Sequence, residues 1–430
     1  DIHFIRLWFT DVLGNLKSMA VTNSEVDNAL EVGMEFDGSS IPGFRKVQES
    51  DMMAFPIAST FQLLPWRPKD NGVARMFCEI RNPDGTPFEG DPRYVLKKTV
   101  EKAKSMGYTV NIGPELEYYY LESDKEPKPI DQAGYFDLTS ADHASDLRRD
   151  TILTLENMSI PVEYSHHECS PSQQEIDLRF SDALSMADSV MTYRLVVKEI
   201  ALLHGVYATF MPMPLEGYNG SGMHLHQSLF NENGDNVFYD SKDPYGMNLS
   251  KTAKHYIAGL LKYAPEYLMV TNQYVNSYKR LLSHKETSRF VCWSRSNRSA
   301  LIRIPAYRMT DELASRVEIR VADPSANPYL AFAATISAGL KGIEEELELG
   351  DPLDGVNIAD MSREEREAAG IAELPRTLSD ALSVFEESEF MREVLGDHIF
   401  DYLVKAKREE CDEYEKTVTE WELNRFLTVL

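Results

Sequence analysis

The sequence is poor in cysteine and has no cysteine pairing pattern. Its 430 residues contain only Cys78, Cys169, Cys292 and Cys411, and no two of them form a CxxC spacing. Structural zinc sites usually rest on such closely spaced pairs, and small secreted scaffolds need several disulfides. The cysteine usage therefore argues against both classes and favours a reducing, cytoplasmic compartment.

Basic residues and long apolar runs are also scarce. Lysine and arginine number 44 against 69 acidic residues, which gives a formal net charge of −25. Nucleic-acid binding relies on clustered basic side chains, so we expect no nucleic-acid partner. No apolar run is long enough to cross a bilayer and no signal peptide is visible, so we expect no membrane partner. The chain starts at Asp1 inside an expected strand, and an upstream start is expected.

The most informative pattern that is present is a row of alternating charges in residues 316–320, with the sequence RVEIR. In a strand, residues two apart share a face, so Arg316, Glu318 and Arg320 would stand together. Guanidinium forks suit phosphate and carboxylate oxygens, and the carboxylate between them can pair with them or hold a divalent cation. Taken alone, the row also fits a surface salt-bridge ladder.

Three further segments repeat this arrangement of polar groups on one strand face. They are Glu115 and Glu117 in residues 108–121; Glu168, Glu175, Asp177 and Arg179 in residues 166–180; and His224, His226 and Ser228 in residues 219–230. A turn signal at residues 170–172 separates Glu168 from Glu175. The recurrence favours a common site over four unrelated ladders.

These rows contain six candidate metal ligands: Glu115, Glu117, Glu168, Glu175, His224 and Glu318. Burying so much like charge without a counter-ion is very costly, so either the carboxylates point to water or cations lie among them. A set dominated by hard oxygen suits Mg²⁺ or Mn²⁺ better than zinc. Cys169 alternates to the opposite face from Glu168, so we predict that it packs inside and binds no metal.

The order of elements predicts an α+β fold. Residues 1–90 are expected to form a small β-rich domain that begins with a hairpin around residues 13–15. Pro92 is predicted to begin a helix that Gly107 ends, and helices are predicted over residues 145–157, 182–203, 250–264, 328–349 and, as a charged tail, about 379–426. We therefore predict a larger domain at residues 91–430, in which an antiparallel sheet lines the site and helices lie outside.

Seven motifs together carry a resemblance to a known family. They are FDGSS at 36–40, GPELE at 113–117, HHE at 166–168, NGSGMH at 219–224, NSYKR at 276–280, NRS at 297–299 and RVEIR at 316–320. In this order and spacing the chain resembles, over essentially its whole length, the class I glutamine synthetases of bacteria and archaea. The resemblance implies a β-grasp-like N-terminal domain and a curved catalytic sheet.

The implied activity is ATP-dependent joining of ammonia to the γ-carboxyl of glutamate through γ-glutamyl phosphate, with ATP as co-substrate and at least two Mg²⁺ or Mn²⁺ ions per site. A carboxylate is a poor electrophile, and phosphorylation gives it a good leaving group. By this resemblance the six ligands divide into two sets. One set, Glu117, Glu168 and Glu175, would hold the cation nearer glutamate, and the other, Glu115, His224 and Glu318, the cation on the ATP phosphates.

The resemblance also implies roles for the remaining site residues. Three arginines would bind phosphate: Arg298, Arg303 and Arg316. Of these, Arg298 and Arg316 would stabilise the phosphoryl group during its transfer. The nucleotide region includes Phe180, His226 and Ser228. Glutamate would be held by Asn219, Gly220, Arg280 and Arg320, and ammonium by Asp37, Ser40, Tyr135 and Glu168. Glu286, in a flap, would take a proton from the tetrahedral adduct.

The family's assembly implies a dodecamer of two hexameric rings, in which the N-terminal domain of one subunit completes its neighbour's site. Asp37 would then act in trans. Where one branch of the family is adenylylated on a tyrosine, this chain has Ala359, so we expect no such control. Gln62 stands where several relatives have arginine, so feedback inhibition by glutamine is expected to be weak or absent.

Two departures from the family pattern leave the acceptor open. The flap segment at residues 283–288 lacks the usual prolines and glycine, and Glu216 adds an acid before the NGSG loop. These features motivate one alternative, a γ-glutamyl-amine ligase that uses an alkylamine or a polyamine. A catalytically silent, metabolite-binding homologue is a further alternative. Ammonium is favoured because the residues matched to ammonium binding and the flap acid are kept together.

Overall fold

The N-terminal part of the chain is built on a six-stranded sheet. The computed structural model describes residues 2–46, 50–138, 140–243, 246–283, 287–306 and 312–430. The first elements are β1 (Ile2–Thr10), β2 (Leu16–Thr22), α1 (Val26–Val32), β3 (Met34–Asp37), β4 (Asp51–Pro56), β5 (Gln62–Leu63) and β6 (Gly72–Arg81). The strand order is β2-β1-β6-β4-β3, with β5 on β6, and β1 and β6 run parallel. The antiparallel pairing of β1 with β2 confirms the predicted hairpin.

A ten-stranded sheet forms the centre of the rest of the molecule. Its strands are β7 (Thr109–Leu121), β8 (Val162–His167), β9 (Gln173–Leu178), β10 (Ser181–Asp182), β11 (Tyr207–Thr209), β12 (Met223–Phe230), β13 (Phe290–Ser294), β14 (Ala300–Arg303), β15 (Val317–Ile319) and β16 (Ala372–Glu373). They follow the order β16-β13-β14-β15-β12-β7-β9-β8, with β10 and β11 on β7. The sheet is antiparallel as predicted except at β13 and β14, which run parallel.

Helices surround this sheet. They are α2 (Pro92–Ser105), α3 (Ser145–Asn157), α4 (Ala183–Leu203), α5 (Lys251–Lys262), α6 (Ala264–Thr271), α7 (Val275–Ser283), α8 (Pro328–Glu344), α9 (Arg363–Ala368), α10 (Leu378–Glu386), α11 (Glu389–Leu395), α12 (Asp397–Lys416) and α13 (Glu420–Phe426). Within the described ranges, no helix is both long and apolar enough to span a bilayer.

Alternation along β7 decides which side chains reach the core and which reach the site. Leu116, Tyr118 and Tyr120 are fully buried in the main hydrophobic cluster, and the Tyr193 hydroxyl of α4 donates to the Leu116 carbonyl at 3.3 Å. Side chains one position away point to the opposite face of the sheet. The same strand thus anchors the core and presents acidic groups on its other face.

A buried ion pair joins three of the helices. The Arg93 guanidinium of α2 donates through Nε and Nη2 to the two carboxylate oxygens of Asp188 on α4, both at 3.0 Å. The Tyr329 hydroxyl of α8 donates to Asp188 Oδ1 at 2.6 Å. Because all three side chains are buried, removing one partner would leave a charge without compensation.

The hairpin turn of the N-terminal sheet is fastened to the rest of the molecule. The Asn327 amide at the start of α8 donates to the carbonyls of Asp11 and Val12 at 3.2 and 3.1 Å. The Gln273 amide donates to the Leu13 carbonyl at 2.9 Å. These contacts join the first sheet to the helices behind the second one.

Several helix boundaries differ from those predicted. Residues 250–264 do not form one helix: α5 ends at Lys262 and α6 begins at Ala264, because Pro265 lacks an N–H and fits the first turn of a new helix. Helix α8 ends at Glu344, before the predicted stop near Gly350, and Glu346 takes a left-handed φ of 50°. The charged tail is four helices separated by short breaks.

Candidate active site

An acidic cleft of about 670 Å³ lies on the face of the large sheet. Strands β7, β8, β9, β12, β14 and β15 and helix α7 contribute its walls. A larger cavity, of about 810 Å³, lies between the hairpin turn and helices α4 and α12, and Glu410 is the one acidic residue among its lining side chains. The concentration of carboxylates, not the volume, identifies the first cleft as the candidate site.

Strand register brings a block of four carboxylates together on β7 and β9, and three of them, Glu115, Glu117 and Glu175, line this cleft. In the antiparallel pairing of β7 with β9, Glu115 lies opposite Asp177 and Glu117 lies opposite Glu175. Each strand contributes two residues that are two apart and therefore share a face. On the far side of β7, His224 of β12 lies opposite Glu115. The polar rows found in the sequence therefore lie on neighbouring strands and form one surface.

One group of possible metal ligands consists of His166, Glu168 and Glu175, whose ligand atoms lie within 4.8 Å of one another. His166 Nε2 is 2.9 Å from Glu168 Oε1 and 3.3 Å from Glu175 Oε2. Glu117 lies beside this group and accepts hydrogen bonds from the Gly222 N–H at 2.9 Å and the Gln173 amide at 3.0 Å. All three carboxylates assigned to the glutamate-side cation therefore line the cleft.

The second group consists of Glu115, His226 and Glu318. His226 Nε2 lies 2.6 Å from Glu115 Oε1, and His224 Nδ1 lies 3.0 Å from Glu115 Oε2 and 3.8 Å from Glu318 Oε1. The three residues assigned to the nucleotide-side cation, Glu115, His224 and Glu318, are thus in contact distance of one another. His226 adds a second imidazole to them.

The closely spaced carboxylates of this block require positive charge nearby. Burial and the charge of Glu168 raise the pKa of Glu117, and burial and the charge of Asp177 raise the pKa of Glu175. Burial acts in the same direction on Glu115, but its contacts with the two histidines lower its pKa. Crowded carboxylates with raised pKa and a predominance of oxygen donors fit divalent cations such as Mg²⁺ and Mn²⁺.

The charged row that stood out in the sequence differs from the expected arrangement, in which Arg316, Glu318 and Arg320 stand together on one strand face. Strand β15 contains only Val317–Ile319, and Glu318, which is 1% exposed, accepts from Arg320 and lies 2.7 Å from Arg303 Nε. Arg316 Nε donates to His226 Nδ1 at 3.2 Å, and Arg316 does not line the cleft. Arg303 of β14 takes its place because register puts it opposite Glu318.

The glutamate-binding candidates form the opposite wall. Arg280 of α7 is buried and donates to the carbonyls of Val321 and Ala322 at 2.8 and 3.2 Å. It packs on the NGSG loop so closely that a Cβ on Gly220 would lie 2.5 Å from Arg280 Cγ. Only glycine fits there. Asn219, Gly220, Arg280 and Arg320 all line the cleft, as does Arg298.

Several predicted site residues do not reach this cleft. Asp37 ends β3 of the N-terminal sheet, Ser40 lies in the turn that follows, and neither lines the cleft. Hydrogen bonds from the Ser39 hydroxyl and from the Ser39 N–H, the latter at 2.8 Å, lower the pKa of Asp37. Phe180, 56% exposed, and Ser228 lie beyond the cleft, past Gly113. Glu286 lies outside the described residues.

Tyr135, the remaining ammonium candidate, does line the cleft and is half exposed. Its ring meets the His166 ring edge-to-face with centroids 5.2 Å apart. Burial and the nearby charge of Glu168 raise its pKa. Glu168 and Tyr135 are therefore neighbours in the cleft, whereas Asp37 and Ser40 of the same chain lie elsewhere.

The expectation that Cys169 packs inside was wrong, and Glu216 lies outside the cleft wall. Cys169 is exposed and lines the cleft, because β8 ends at His167 and the following turn interrupts the alternation. Glu216 is exposed and is not among the cleft-lining residues, so it does not add charge to the cleft wall.

Three residues at the site were not predicted to have a role. His166 and Asp177 share faces with Glu168 and Glu175, so the alternation that singled out the glutamates also included them. Gln173 gave no signal, because its function comes from two contacts across the fold. Its amide donates to Glu117 Oε2 and, at 3.1 Å, to the Gly220 carbonyl, so it joins the carboxylate block to the glycine loop.

A buried hydrogen-bond network stabilises the end of β8. His167 Nδ1 lies 2.7 Å from the Glu168 carbonyl and Nε2 lies 3.2 Å from Asp131 Oδ1. Asp142, close to the same histidine, pairs with Arg148 at 2.6 Å. Because the Arg148 guanidinium already pairs with Asp142, we interpret these residues as a structural network and not as a further metal site.

Comparisons with known proteins agree with this geometry. A family described as "Glutamine synthetase, beta-Grasp domain" matches residues 1–83, and one described as "Glutamine synthetase, catalytic domain" matches residues 89–426. The chain is 49% identical over 434 residues to a glutamine synthetase of Methanosarcina mazei, covering 100% of this chain and 96% of that protein. It is 48% identical to one of Mycolicibacterium smegmatis, with 100% and 97% covered.

Solved structures show the same similarity. The chain resembles a GmaS/ADP complex with a TM-score of 0.89 and 29% identity, covering 99% of this chain and 97% of that one. It resembles a glutamine synthetase of Plasmodium falciparum with a TM-score of 0.89 and 27% identity, covering 99% and 96%. The similarity therefore extends over both sheets.

Proposed function

The chain belongs to the glutamine synthetase family and catalyses ATP-dependent formation of glutamine from glutamate and ammonia, and we propose that the acidic cleft on the large sheet is its active site. One observation carries this proposal: two groups of possible cation ligands lie side by side on the large sheet, one from β7, β12 and β15 and one from β8, β9 and the turn between them, and arginines line the same cleft. Both reacting anions, glutamate and the ATP phosphates, need positive charge at one place.

We propose that Glu117, Glu168 and Glu175 hold the cation nearer glutamate, and that Glu115, His224 and Glu318 hold the cation on the nucleotide. The close approach of His166 and His226 to the same carboxylates supports this division. When bound, Mg²⁺ or Mn²⁺ would neutralise the phosphate and carboxylate oxygens and polarise the group to be transferred.

The side chains of the chain itself orient the two substrates. Arg280 and Arg320, with Asn219 and the Gly220 backbone, would bind the carboxylates of glutamate, since bidentate guanidiniums fix carboxylate direction. Arg298 and Arg303 line the same cleft and would bind phosphate oxygens, and Arg316 would reach them from beside His226. The phosphoryl group then passes from ATP to the γ-carboxylate, giving γ-glutamyl phosphate and ADP.

The nucleotide would extend along the sheet away from the glutamate wall. Phe180, exposed beside Gly113, offers a ring face for adenine, and His226 and Ser228 follow on β12. This direction places the base outside the acidic block and the phosphates against it.

The second half of the reaction needs ammonium to bind and lose a proton, because only NH₃ is a nucleophile. We propose that Glu168 and Tyr135 form one side of this site and that Asp37 and Ser40 of a neighbouring subunit complete it. Glu286 would then take a proton from the tetrahedral adduct. The separation of Asp37 from the cleft of its own chain supports a role in trans.

We further propose a dodecamer of two hexameric rings in the cytoplasm, with a domain boundary near residue 90. The need for a neighbour's Asp37 supports a ring, since head-to-tail interfaces close into rings. The four free cysteines support a reducing compartment. Absence of a tyrosine at position 359 supports freedom from adenylylation there, and Gln62 supports weak feedback inhibition by glutamine.

Ammonia, and not an organic amine, is the acceptor. Relatives at 46–49% identity over the whole chain are glutamine synthetases, and the exposed Glu216 does not line the cleft. The test of the site is phosphate release with ATP and glutamate, with ammonium, methylamine, ethanolamine and putrescine compared in parallel. We expect turnover with ammonium to exceed that with each amine.

The Arg280→Lys variant should lose glutamate affinity while keeping ATP binding, and unchanged affinity for glutamate would contradict the proposed role of this wall of the cleft in binding glutamate.

A further inference from the structure

Asp177 occupies the fourth corner of the carboxylate block and has no role in the site as described so far. It lies opposite Glu115 on one side and Tyr164 on the other, and it is two residues from Glu175 on β9. Its side chain is 3% exposed. A buried carboxylate at this position requires a source of compensating charge or hydrogen bonds.

The protein supplies little compensation for Asp177. Neither carboxylate oxygen has a hydrogen-bond partner of normal geometry within the described part of the chain, and no lysine or arginine there pairs with it. The Tyr164 hydroxyl and the Glu175 carboxyl lie close enough to interact, but Tyr164 offers a single proton and Glu175 is itself acidic. A carboxylate has about four acceptor positions, so most of its capacity is left over.

The two acidic residues nearest to Asp177 are the ones that divide between the two proposed cation groups. Glu115 belongs to the nucleotide-side group and Glu175 to the glutamate-side group. Asp177 therefore lies at the junction between them. Glu318 already has Arg303 and Arg320, so the charge of the remaining carboxylates is left for cations to balance.

Building on the two-cation site proposed above, we propose that Asp177 is a further carboxylate that supports cation binding in this enzyme. Its side chain does not line the cleft, so it acts through its negative charge beside Glu115 and Glu175, which are proposed to hold the Mg²⁺ or Mn²⁺ ions. Its position at the junction makes both cation sites depend on it. A purely structural carboxyl, bonded only to Tyr164, is the competing explanation.

The test compares Mn²⁺ binding to the full-length enzyme and to its Asp177→Asn variant. Asparagine keeps the shape and one acceptor oxygen but removes the charge. Calorimetry, and electron paramagnetic resonance of free Mn²⁺, should show a dissociation constant raised by about 10-fold or more for at least one ion, as for other groups that support a metal site. The Mg²⁺ concentration for half-maximal activity should rise in parallel. Unchanged Mn²⁺ binding would overturn the proposal.

Matched variants separate this result from loss of structure. Asp177→Glu keeps the charge and should retain Mn²⁺ affinity better than asparagine; an equal loss would indicate a packing role. Asp243→Asn removes another buried aspartate, paired with Lys254 at 2.7 Å outside the cleft, and should lower thermal stability without changing Mn²⁺ binding. If Asp177→Asn does not fold, Asp177→Ser takes its place, since serine is smaller and equally neutral.

A further variant distinguishes failure of this proposal from failure of the assigned site. Glu175→Gln should weaken Mn²⁺ binding if the proposed active site is correct. If Glu175→Gln weakens binding and Asp177→Asn does not, Asp177 is structural and the active site stands. If neither changes Mn²⁺ binding, the cation site itself is wrongly assigned.

Discussion

The position of Asp37 leads to a quantitative prediction about mixed assemblies. Its carboxylate belongs to the N-terminal sheet and does not line the cleft of its own chain. In a ring with sites shared between neighbours, each site combines the Asp37 of one subunit with the cleft of the next. We therefore expect two variants, Asp37→Asn and Glu175→Gln, to be nearly inactive alone and to restore activity when they assemble together.

The size of the recovery follows from random assembly. In a 1:1 mixture, a site is intact only if the subunit giving Asp37 carries the cleft substitution and the next carries the Asp37 substitution. The chance of this arrangement is about one in four for head-to-tail neighbours. If both groups came from the same chain, every site would keep one damaged half and the mixture would stay inactive.

The asparagine substitution at position 37 is chosen to keep the local structure. Asp37 Oδ1 accepts from the Ser39 N–H at 2.8 Å at the start of a short helical turn, and asparagine caps such turns equally well. The variant thus removes the charge that is proposed to bind ammonium and keeps the local backbone structure.

The assay is co-expression of the two variants with different affinity tags, sequential purification and measurement of phosphate release with ammonium. A second mixture, of wild-type chains with chains carrying both substitutions, should keep about one quarter of the sites if they are shared and about one half if they are not. Absence of recovery in the first mixture together with one half in the second would refute the shared site.

Three other outcomes are expected. Gly220→Ala should lower kcat/KM for glutamate by about 10-fold or more, because its Cβ would displace Arg280; Gly350→Ala, where the new Cβ meets nothing within 4 Å, should not change glutamate kinetics. Arg93→Ala should lower the free energy of unfolding by about 3–5 kcal/mol, measured by denaturant titration at fixed protein concentration, because it leaves Asp188 buried without its partner. Cleft carboxyls with raised pKa hold protons more tightly folded than unfolded, so the metal-free enzyme should lose stability as pH rises towards those pKa values. Mn²⁺ should therefore raise Tm more at about pH 8 than at about pH 6, and an equal rise at both would contradict this.

The alternating pattern of charged residues was sufficient to identify the acidic residues that line the cleft. Glu115, Glu117, His224 and Glu318 each lie in a strand between apolar neighbours, and Glu175 and Asp177 lie on either side of Ile176, so period two assigns each of them to a face of its strand. The ordered motifs then pointed to the family, and the hairpin around residues 13–15 followed from its turn residues.

The alternation of polar and apolar residues within single segments did not predict the contacts between distant segments. The row at residues 316–320 suggested Arg316 as a partner of Glu318, but pairing of β14 with β15 supplied Arg303 instead. Gln173 and Cys169 became parts of the cleft only through a turn whose direction the alternation did not predict. Register across strands is set by packing of the whole sheet, and it is not encoded in any one segment.

The sequence by itself determined the chemistry of this protein: the residue types, their spacing along each strand and the family whose reaction they perform. The tertiary structure decided which of them meet. It placed Asp177 between Glu115 and Tyr164, turned Arg316 towards His226, and kept Asp37 on a different sheet from the cleft. The physical reason is that alternation fixes only the face to which a side chain points, whereas its neighbours on that face depend on how separate strands pair and pack.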